Sequence, residues 1–212
     1  MIQVDYNDID SLCRLLEEQS VQTIISVISL ETEEGVQSQL NLLQAAENSS
    51  KTSRFIPSEF STIVAQDYEV DDEGQVLAKA PDGTLLPGIP AVKHFVDIAN
   101  ALKKSSLQYT RVLNGMFMDF WGVPNVGTHL PPFRSAVDIA SCTAAIPGRG
   151  DDVLSMTYSY DVAAFVVEIL GLPEWPEFSV VVGDDFTYNQ MVAVAERVRR
   201  KLSITLYCNI AH

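Results

Sequence analysis

Apolar residues at helical spacing alternate with short apolar runs along the first half of the chain. The spacing predicts three helices, over 8–19, 36–48 and 92–102. Three runs between and after them predict strands, over 23–29, 54–56 and 109–113. The first run is continuous and rich in β-branched residues, as in parallel strands that helices cover on both faces. This alternation predicts right-handed crossovers and a parallel sheet of the α/β class.

The later part of the chain is less regular. Residues 61–90 contain an acidic run and turn residues such as Pro81, which predict an exposed loop or hairpin. Residues 115–134 are rich in Gly, Pro and aromatic side chains, which predicts an irregular surface suited to a small ligand. The remaining pattern predicts strands over 154–158, 178–182 and 202–207, a helix that Asp161 caps, and a helix that a Thr187–Gln190 capping box opens.

Composition narrows the possible partners. The 212 residues are 47% hydrophobic, enough for one domain with a core or one domain and a small lobe. A net charge of -14 repels phosphate backbones and anionic lipids, so we expect neither nucleic acid nor a membrane as a direct partner.

Three scattered cysteines, an acidic first segment and no long apolar run favour a cytoplasmic location. The three histidines, His94, His129 and His212, lack metal-ligand spacing.

Several segments, taken in order, resemble the NmrA-like and isoflavone-reductase-like family of atypical short-chain dehydrogenases, in particular its fungal members. The segment 54–60 reads RFIPSEF, and the others are 4–8, 25–29, 109–110 with 114–117, 145–148, 160–163 with 165–166, and 182–184 with 187. The resemblance implies a partial doubly wound, Rossmann-like parallel sheet with a smaller α/β lobe on the substrate side. It assigns 1–114 with 154–170 to an incomplete NAD(P)-binding domain, and 115–153 with 171–212 to an incomplete lobe.

The resemblance also implies a cofactor, NADP or NAD. The family's phosphate loop, G-x-x-G-x-x-G, has no counterpart in this sequence, and Gly148-Arg149-Gly150 is predicted to be a surface turn. We therefore expect a chain truncated at its N-terminus and at its C-terminus, which does not bind a dinucleotide tightly by itself. The run 23–29 would then have an unpaired edge, open to self-association or to a protein partner.

The family places a catalytic lysine early in the third predicted helix, where Lys93 is the best match and Lys79 a weaker one. An ammonium there supplies a proton or stabilises negative charge during hydride transfer, whereas the alternative for Lys93 is an ordinary solvated lysine. By resemblance the residues bordering the cofactor, besides Lys93, are Ser29, Pro57, Ser58, Asn114 and Gly115. Asp5 resembles a residue near the adenine or caps a helix, and Phe60 and Phe117 contact substrate or belong to the core.

Two classes of function remain open from the sequence. In the first, the parent protein is an NAD(P)H-dependent reductase of a small aromatic or carbonyl compound, and this chain holds its substrate side and half of its sheet. The second is a non-catalytic, NmrA-like regulator that senses the dinucleotide or binds a protein, with a nonfunctional fragment as a further possibility. Consumption of reduced nicotinamide separates the first class from the second.

Overall fold

The structure, a computed structural model, describes residues 2–61, 67–80, 82–131, 133, 136–200 and 204–208. The helices in these ranges are α1 (Ile9–Glu18), α2 (Glu33–Asn48), α3 (Lys93–Lys104), α4 (Asp119–Gly122), α5 (Ser159–Leu170) and α6 (Tyr188–Arg199). The strands are β1 (Thr23–Ile25), β2 (Arg54–Ile56), β3 (Tyr68–Val70), β4 (Val76–Lys79), β5 (Leu85–Pro87), β6 (Gln108–Tyr109), β7 (Arg111–Leu113), β8 (Met116–Phe117), β9 (Val137–Asp138), β10 (Thr143–Pro147), β11 (Val153–Thr157), β12 (Phe178–Val180), β13 (Asp184–Thr187) and β14 (Ile204–Cys208).

The chain folds into two compact units. The first comprises Met1–Leu113 and Leu172–Ser179, and the second comprises Asn114–Gly171 and Val180–His212. The division into domains predicted from the sequence stays a prediction. Within the described ranges, no helix combines the length and the apolar character needed to cross a membrane.

The first unit is built on a parallel sheet in the order β1-β2-β6. Ile24 pairs with Phe55, and Phe55 pairs with Tyr109, so the three strands are parallel and begin at the same edge of the sheet. The predicted parallel α/β sheet is therefore confirmed. After Thr110 the third strand resumes as β7, which pairs with β12.

Helices α1, α2 and α3 form one hydrophobic core with this sheet. Asp8 caps α1 by accepting the Ser11 N–H, and Thr32 caps α2 by accepting the Gly35 N–H. The buried side chains that fill the core come from all three helices and the strands, including Leu12, Leu16, Ile24, Leu43, Phe55, Ile98 and Leu102. Burial of these apolar faces holds the helices against the sheet.

The predicted loop or hairpin at 61–90 contains an antiparallel sheet in the order β3-β4-β5. Tyr68 pairs with Ala78, and Ala78 pairs with Leu86. Buried Val76 packs with Val92 and Val96, so the sheet is anchored at the start of α3. Pro81, named in the predicted turn, lies outside the described residues.

The second unit contains two three-stranded sheets, in the orders β13-β11-β8 and β14-β10-β9. Its core includes Ile146, Met156 and Met191, and α6 opens with the predicted Thr187–Gln190 capping box. Parallel pairing of β11 with β8 joins Met156 to Met116. Leu202 and Ser203 of the predicted last strand lie outside the described residues. The described part of that region forms β14, Ile204–Cys208.

Several local predictions differ from the structure. The strand predicted over 23–29 ends at Ile25, which pairs with Ile56, the last residue of β2. Beyond this pair, the Ser26 N–H donates to Ile56 O. A short helix, α4, lies within 115–134, where no regular helix was expected. Tyr158 stands at the N-cap of α5, and Asp161 lies inside its first turn, because α5 begins two residues earlier than Asp161.

Candidate functional site

The carboxyl edge of the β1-β2-β6 sheet is the place where a doubly wound fold binds its ligand. Helix α2 follows β1, and α3 leads back to the start of β6, so both helices begin at this edge. Glu33 and Lys93 are the first residues of these helices. The loop after β1, with Ser29, and the corner after β2, with Pro57 and Ser58, belong to the same edge. The topology therefore gathers these predicted site residues.

Lys93 is held by the next turn of its own helix. Its Nζ lies 2.5 Å from Asp97 Oδ2, and the lysine side chain is 41% exposed. The hydrogen bond to Asp97 raises the pKa of Lys93 above its ordinary value, and the charges of Asp97 and Glu33 raise it further. Lys93 is therefore an ammonium at neutral pH, suited to stabilising negative charge and not to accepting a proton.

Lys79, the weaker candidate, has different surroundings. It lies on β4 of the antiparallel sheet, is exposed, and forms an ion pair with Glu69 at 2.9 Å. This arrangement is that of a solvated cross-strand pair. Lys93 consequently remains the better candidate, because it begins a helix at the carboxyl edge of the parallel sheet.

The corner after β2 is held by buried polar groups. Pro57 is buried, and the Ser58 N–H donates to Gln39 Oε1 over 2.8 Å. Glu59 is buried next to Ser58, and its carboxylate accepts a hydrogen bond from Arg111 Nε. The Pro57–Ser58 backbone is thus fixed from α2 and from β7. Phe60, predicted to contact substrate or join the core, is half-buried.

The loop after β1 packs closely on the start of α2. A Cβ at Gly35 would lie 1.9 Å from Ser29 O, so only glycine permits this approach. Ser29 itself is exposed, and its Oγ accepts the Glu31 N–H at 3.5 Å. The Ser29 hydroxyl is accordingly available to a ligand at this edge.

Asn114, Gly115 and Phe117 belong to the second unit. Asn114 is fully buried, donates from Nδ2 to Gly115 O over 3.1 Å, and accepts the Thr157 hydroxyl at its backbone oxygen. Gly115 has φ +68°, and a Cβ there would lie 2.0 Å from Ser155 O. Phe117 is half-buried and packs edge-on against Phe120, with ring centroids 6.2 Å apart. Asn114 and Gly115 are therefore joined by a hydrogen bond, whereas Phe117 contacts Phe120.

Asp5 occupies a turn before α1. It is exposed, and its Oδ1 accepts the Asn7 N–H at 2.9 Å. The helix-cap alternative for Asp5 is wrong, since Asp8 caps α1. Asp5 lies three residues before the cap, and its bond to the Asn7 N–H forms an Asx-type turn that precedes α1.

Polar atoms at the carboxyl edge can be compared with the needs of a dinucleotide. Ser26 Oγ and Gln39 Nε2 are buried and lack a hydrogen-bond partner among the described residues. The hydroxyls of Ser29 and Ser58 and the Lys93 ammonium fit the hydroxyl and amide groups of such a ligand. No described segment offers a glycine-rich series of N–H groups for a pyrophosphate. The same ranges bring together no group of three or more His, Cys, Asp or Glu side chains suited to a metal ion.

Gln39 and Arg111 were not predicted from the sequence as site residues, and Glu59 was named only as part of a motif. Gln39 follows Val36 by three residues and lies on the apolar face of α2, where a polar side chain is unusual. That position was the available sign of a buried hydrogen bond. Nothing in the sequence pairs Arg111 with Glu59, which are 52 residues apart.

Comparisons with known proteins bear on this arrangement. No family model matches the chain. The chain is 34% identical over 198 residues to a protein named Oxidoreductase BOA1 from Botryotinia fuckeliana, covering 93% of this chain and 60% of that one. It is 29% identical over 205 residues to Oxidoreductase swnN from Metarhizium robertsii, again covering 93% and 60%. The chain thus spans about 60% of the length of these curated relatives.

Solved structures share the fold. A crystal structure of isoflavone reductase matches with TM-score 0.68 at 15% identity, covering 98% of this chain and 60% of that one. The structure of AtPrR2 with NADP+ and (+)pinoresinol matches with TM-score 0.68 at 20% identity, covering 98% and 61%. Leucoanthocyanidin reductase from Vitis vinifera in complex with NADPH matches with TM-score 0.65 at 15% identity, covering 98% and 62%. The chain therefore has the Rossmann-like fold of these NAD(P)-binding reductases, and its resemblance to the NmrA-like and isoflavone-reductase-like family is confirmed.

Proposed function

We propose that the protein is an NAD(P)H-dependent reductase of a small aromatic or carbonyl compound, and that Lys93 is its catalytic cation. The observation that carries this proposal is the position of Lys93, an ammonium at the start of α3 and at the carboxyl edge of a parallel sheet. The names of the fungal relatives and the reductase fold support the reaction class. NADP or NAD, when bound in its reduced form, supplies the hydride.

The Lys93 ammonium acts on the charge that develops in the acceptor. Hydride addition to a carbonyl or a conjugated double bond leaves negative charge on the acceptor oxygen or carbon, and a nearby cation stabilises that charge. Because Asp97 raises the pKa of Lys93, the proton stays on Nζ until the developing anion is more basic than the amine. Lys93 then delivers the proton, and solvent restores it.

The remaining residues bind and orient. Ser29 and Ser58 present hydroxyls at the carboxyl edge, and the corner that carries Pro57 and Ser58 is fixed by buried groups. We assign Asn114 and Gly115 to the cofactor and Phe60 and Phe117 to the substrate, by resemblance. Asp5, exposed in its turn, is assigned to the adenine end on the same basis.

The test measures two things on the purified 212-residue chain. Binding of NADPH and of NADH is followed by the fluorescence of the reduced nicotinamide, and turnover by loss of its absorbance with a panel of enones and aromatic aldehydes and ketones. Lys93→Met removes the cation, whereas Lys103→Met, at the exposed last turn of α3, is the matched control. We expect turnover to fall by about 100-fold or more in Lys93→Met alone, with binding retained.

Other outcomes separate the functional classes. Binding of the dinucleotide without consumption of any acceptor supports the non-catalytic regulator and contradicts the reductase. Equal turnover in both lysine variants removes Lys93 from the mechanism. A folded chain that binds neither dinucleotide contradicts the proposal for this chain.

A further inference from the structure

Gln39 makes an unusual contact for a helix residue. Its side chain is 1% exposed, in the middle of α2, on the face that packs into the core. A buried amide is costly unless it is hydrogen-bonded, and an aliphatic side chain would fill the same position without that requirement. The bond that Gln39 makes leads out of the helix, from Oε1 to the Ser58 N–H, 2.8 Å away.

The Ser58 N–H needs such an acceptor. Ser58 lies just past β2, whose ladder partners end at Ile56, so the strand provides no carbonyl for this amide. The next amide, that of Glu59, is bonded to Pro57 O at 2.9 Å, which closes a tight corner. Gln39 therefore replaces the missing strand partner and sets the direction of the corner backbone.

The corner is also held from its other side. The Glu59 and Arg111 side chains are both fully buried, and Arg111 Nε donates to Glu59 Oε2. The Arg111 guanidinium lies over the Phe178 ring, 5.2 Å from its centroid. The bond between Glu59 and Arg111 thus holds the corner to β7, and the bond between Ser58 and Gln39 holds it to α2.

We propose that Gln39 is a positioning residue, which holds the Pro57–Ser58 corner in the geometry that receives a dinucleotide. This inference rests on the proposed function, because the role of the corner depends on dinucleotide binding at this edge. Gln39 acts through Ser58 and has no contact of its own with a ligand. Without its acceptor the Ser58 amide turns toward another partner, and the corner loses the geometry that binding needs.

Three variants of the full chain test the role of the amide. Gln39→Leu removes the acceptor with little change in volume, and Gln39→Glu keeps an oxygen that accepts the Ser58 N–H. Gln37→Leu changes an exposed glutamine of the same helix, bonded to Asn41 Oδ1, and serves as the matched control. If Gln39→Leu fails to fold, Gln39→Ala takes its place, since a smaller side chain leaves room for water at the corner.

The first measurement is amide hydrogen exchange, which needs no ligand. We expect exchange of the Ser58 N–H to be at least about tenfold faster in Gln39→Leu, whereas the Ser26 N–H, bonded to Ile56 O at the same edge, keeps its rate. Gln39→Glu and Gln37→Leu keep the wild-type rate at Ser58. Unchanged exchange at Ser58 in Gln39→Leu overturns the proposal.

The second measurement is the dissociation constant of NADPH. We expect it to rise by about tenfold in Gln39→Leu and to recover in Gln39→Glu. If the wild type and Gln39→Leu bind NADPH equally, the positioning role is overturned and the proposed function stands. If the wild type does not bind NADPH, the proposed function fails, and the Gln39–Ser58 bond is reduced to a feature of the fold.

Discussion

Glu59 and Arg111 face each other with both side chains fully buried, and this ion pair joins the corner after β2 to the strand β7. Burial withdraws both charges from water, which costs more free energy than the attraction between them returns unless further hydrogen bonds are made. The Arg111 side chain also stacks on Phe178. If either side chain turned away, the other would remain as an unpaired buried charge. The pair therefore fixes one side of the proposed site.

Removing one partner of this pair is expected to destabilise the first unit strongly. Arg111→Met leaves Glu59 buried without its cation, and we expect a loss of about 3–5 kcal/mol in the free energy of unfolding. The double variant Glu59→Leu with Arg111→Met is expected to lose less than the two single changes together. Urea denaturation of the four proteins measures this cycle. Additive losses would show that the two side chains act independently.

Glu59 also gives a pH dependence with a defined sign. Burial raises its pKa from 4.5 to about 7, although the Arg111 charge and hydrogen bond oppose the shift. The folded state therefore binds a proton more tightly than the unfolded state, and the stability from this proton is fully present below about pH 4.5. It is lost as the pH rises through about 7. Denaturation at several pH values, for the wild type against Glu59→Gln, is expected to show this slope only in the wild type.

Asp97 is expected to control the charge of Lys93. In Asp97→Asn the side chain keeps its size but loses its charge, so the pKa of Lys93 falls toward its ordinary value. Labelling the lysines with ¹³C-methyl groups allows the titration of each amine to be followed by NMR, and Lys93→Arg assigns the Lys93 signal. Asp67→Asn, which changes another exposed carboxylate, serves as the control. An unchanged Lys93 titration in Asp97→Asn would contradict the observed contact.

Gly115 is expected to tolerate no side chain. It combines φ +68° with a Cβ position 2.0 Å from Ser155 O, so Gly115→Ala carries both backbone strain and a clash with β11. We expect a loss of about 2–4 kcal/mol in the free energy of unfolding. Gly148→Ala, at φ +56° with nothing within 4 Å, isolates the strain alone and is expected to cost about 1 kcal/mol. Equal losses at the two positions would exclude the clash.

Asp119 is expected to anchor the start of α5 in place of Asp161. Its carboxylate accepts both the N–H and the hydroxyl of Ser159, at 2.8 and 2.6 Å. Burial alone raises the pKa of Asp119, but the hydrogen bonds from Ser159 and Thr128 lower it overall. Its stabilising effect is therefore present above its unfolded pKa of about 3.8 and is lost as the pH falls through the lower folded value.

The measurement is thermal or urea unfolding at neutral pH. Asp119→Asn is expected to cost about 1–3 kcal/mol, because the amide lacks the charge that strengthens the bond from the Ser159 N–H, and one of its two acceptors becomes a donor. Asp161→Asn, in the exposed first turn of the same helix, is expected to change stability by less than about 0.5 kcal/mol. A larger effect at Asp161 would restore the cap predicted from the sequence.

The sequence by itself determined the α/β class, the three helices of the first unit and the Thr187–Gln190 capping box. These features depend on local spacing: apolar residues such as Leu12 and Leu16 recur on one helix face, and a cap forms between residues three apart. The ordered motifs, RFIPSEF among them, likewise carried the family resemblance. Neighbouring residues are sufficient for each of these inferences.

Only the tertiary structure decided which distant residues meet. Glu59 and Arg111 are 52 positions apart, Gln39 and Ser58 are 19 apart, and Asp119 and Ser159 are 40 apart. Where a strand ends also depends on its neighbour, as β1 shows by stopping with β2. Such pairings are fixed by packing and by the hydrogen-bonding needs of buried groups, which belong to the folded chain and leave no local pattern in the sequence.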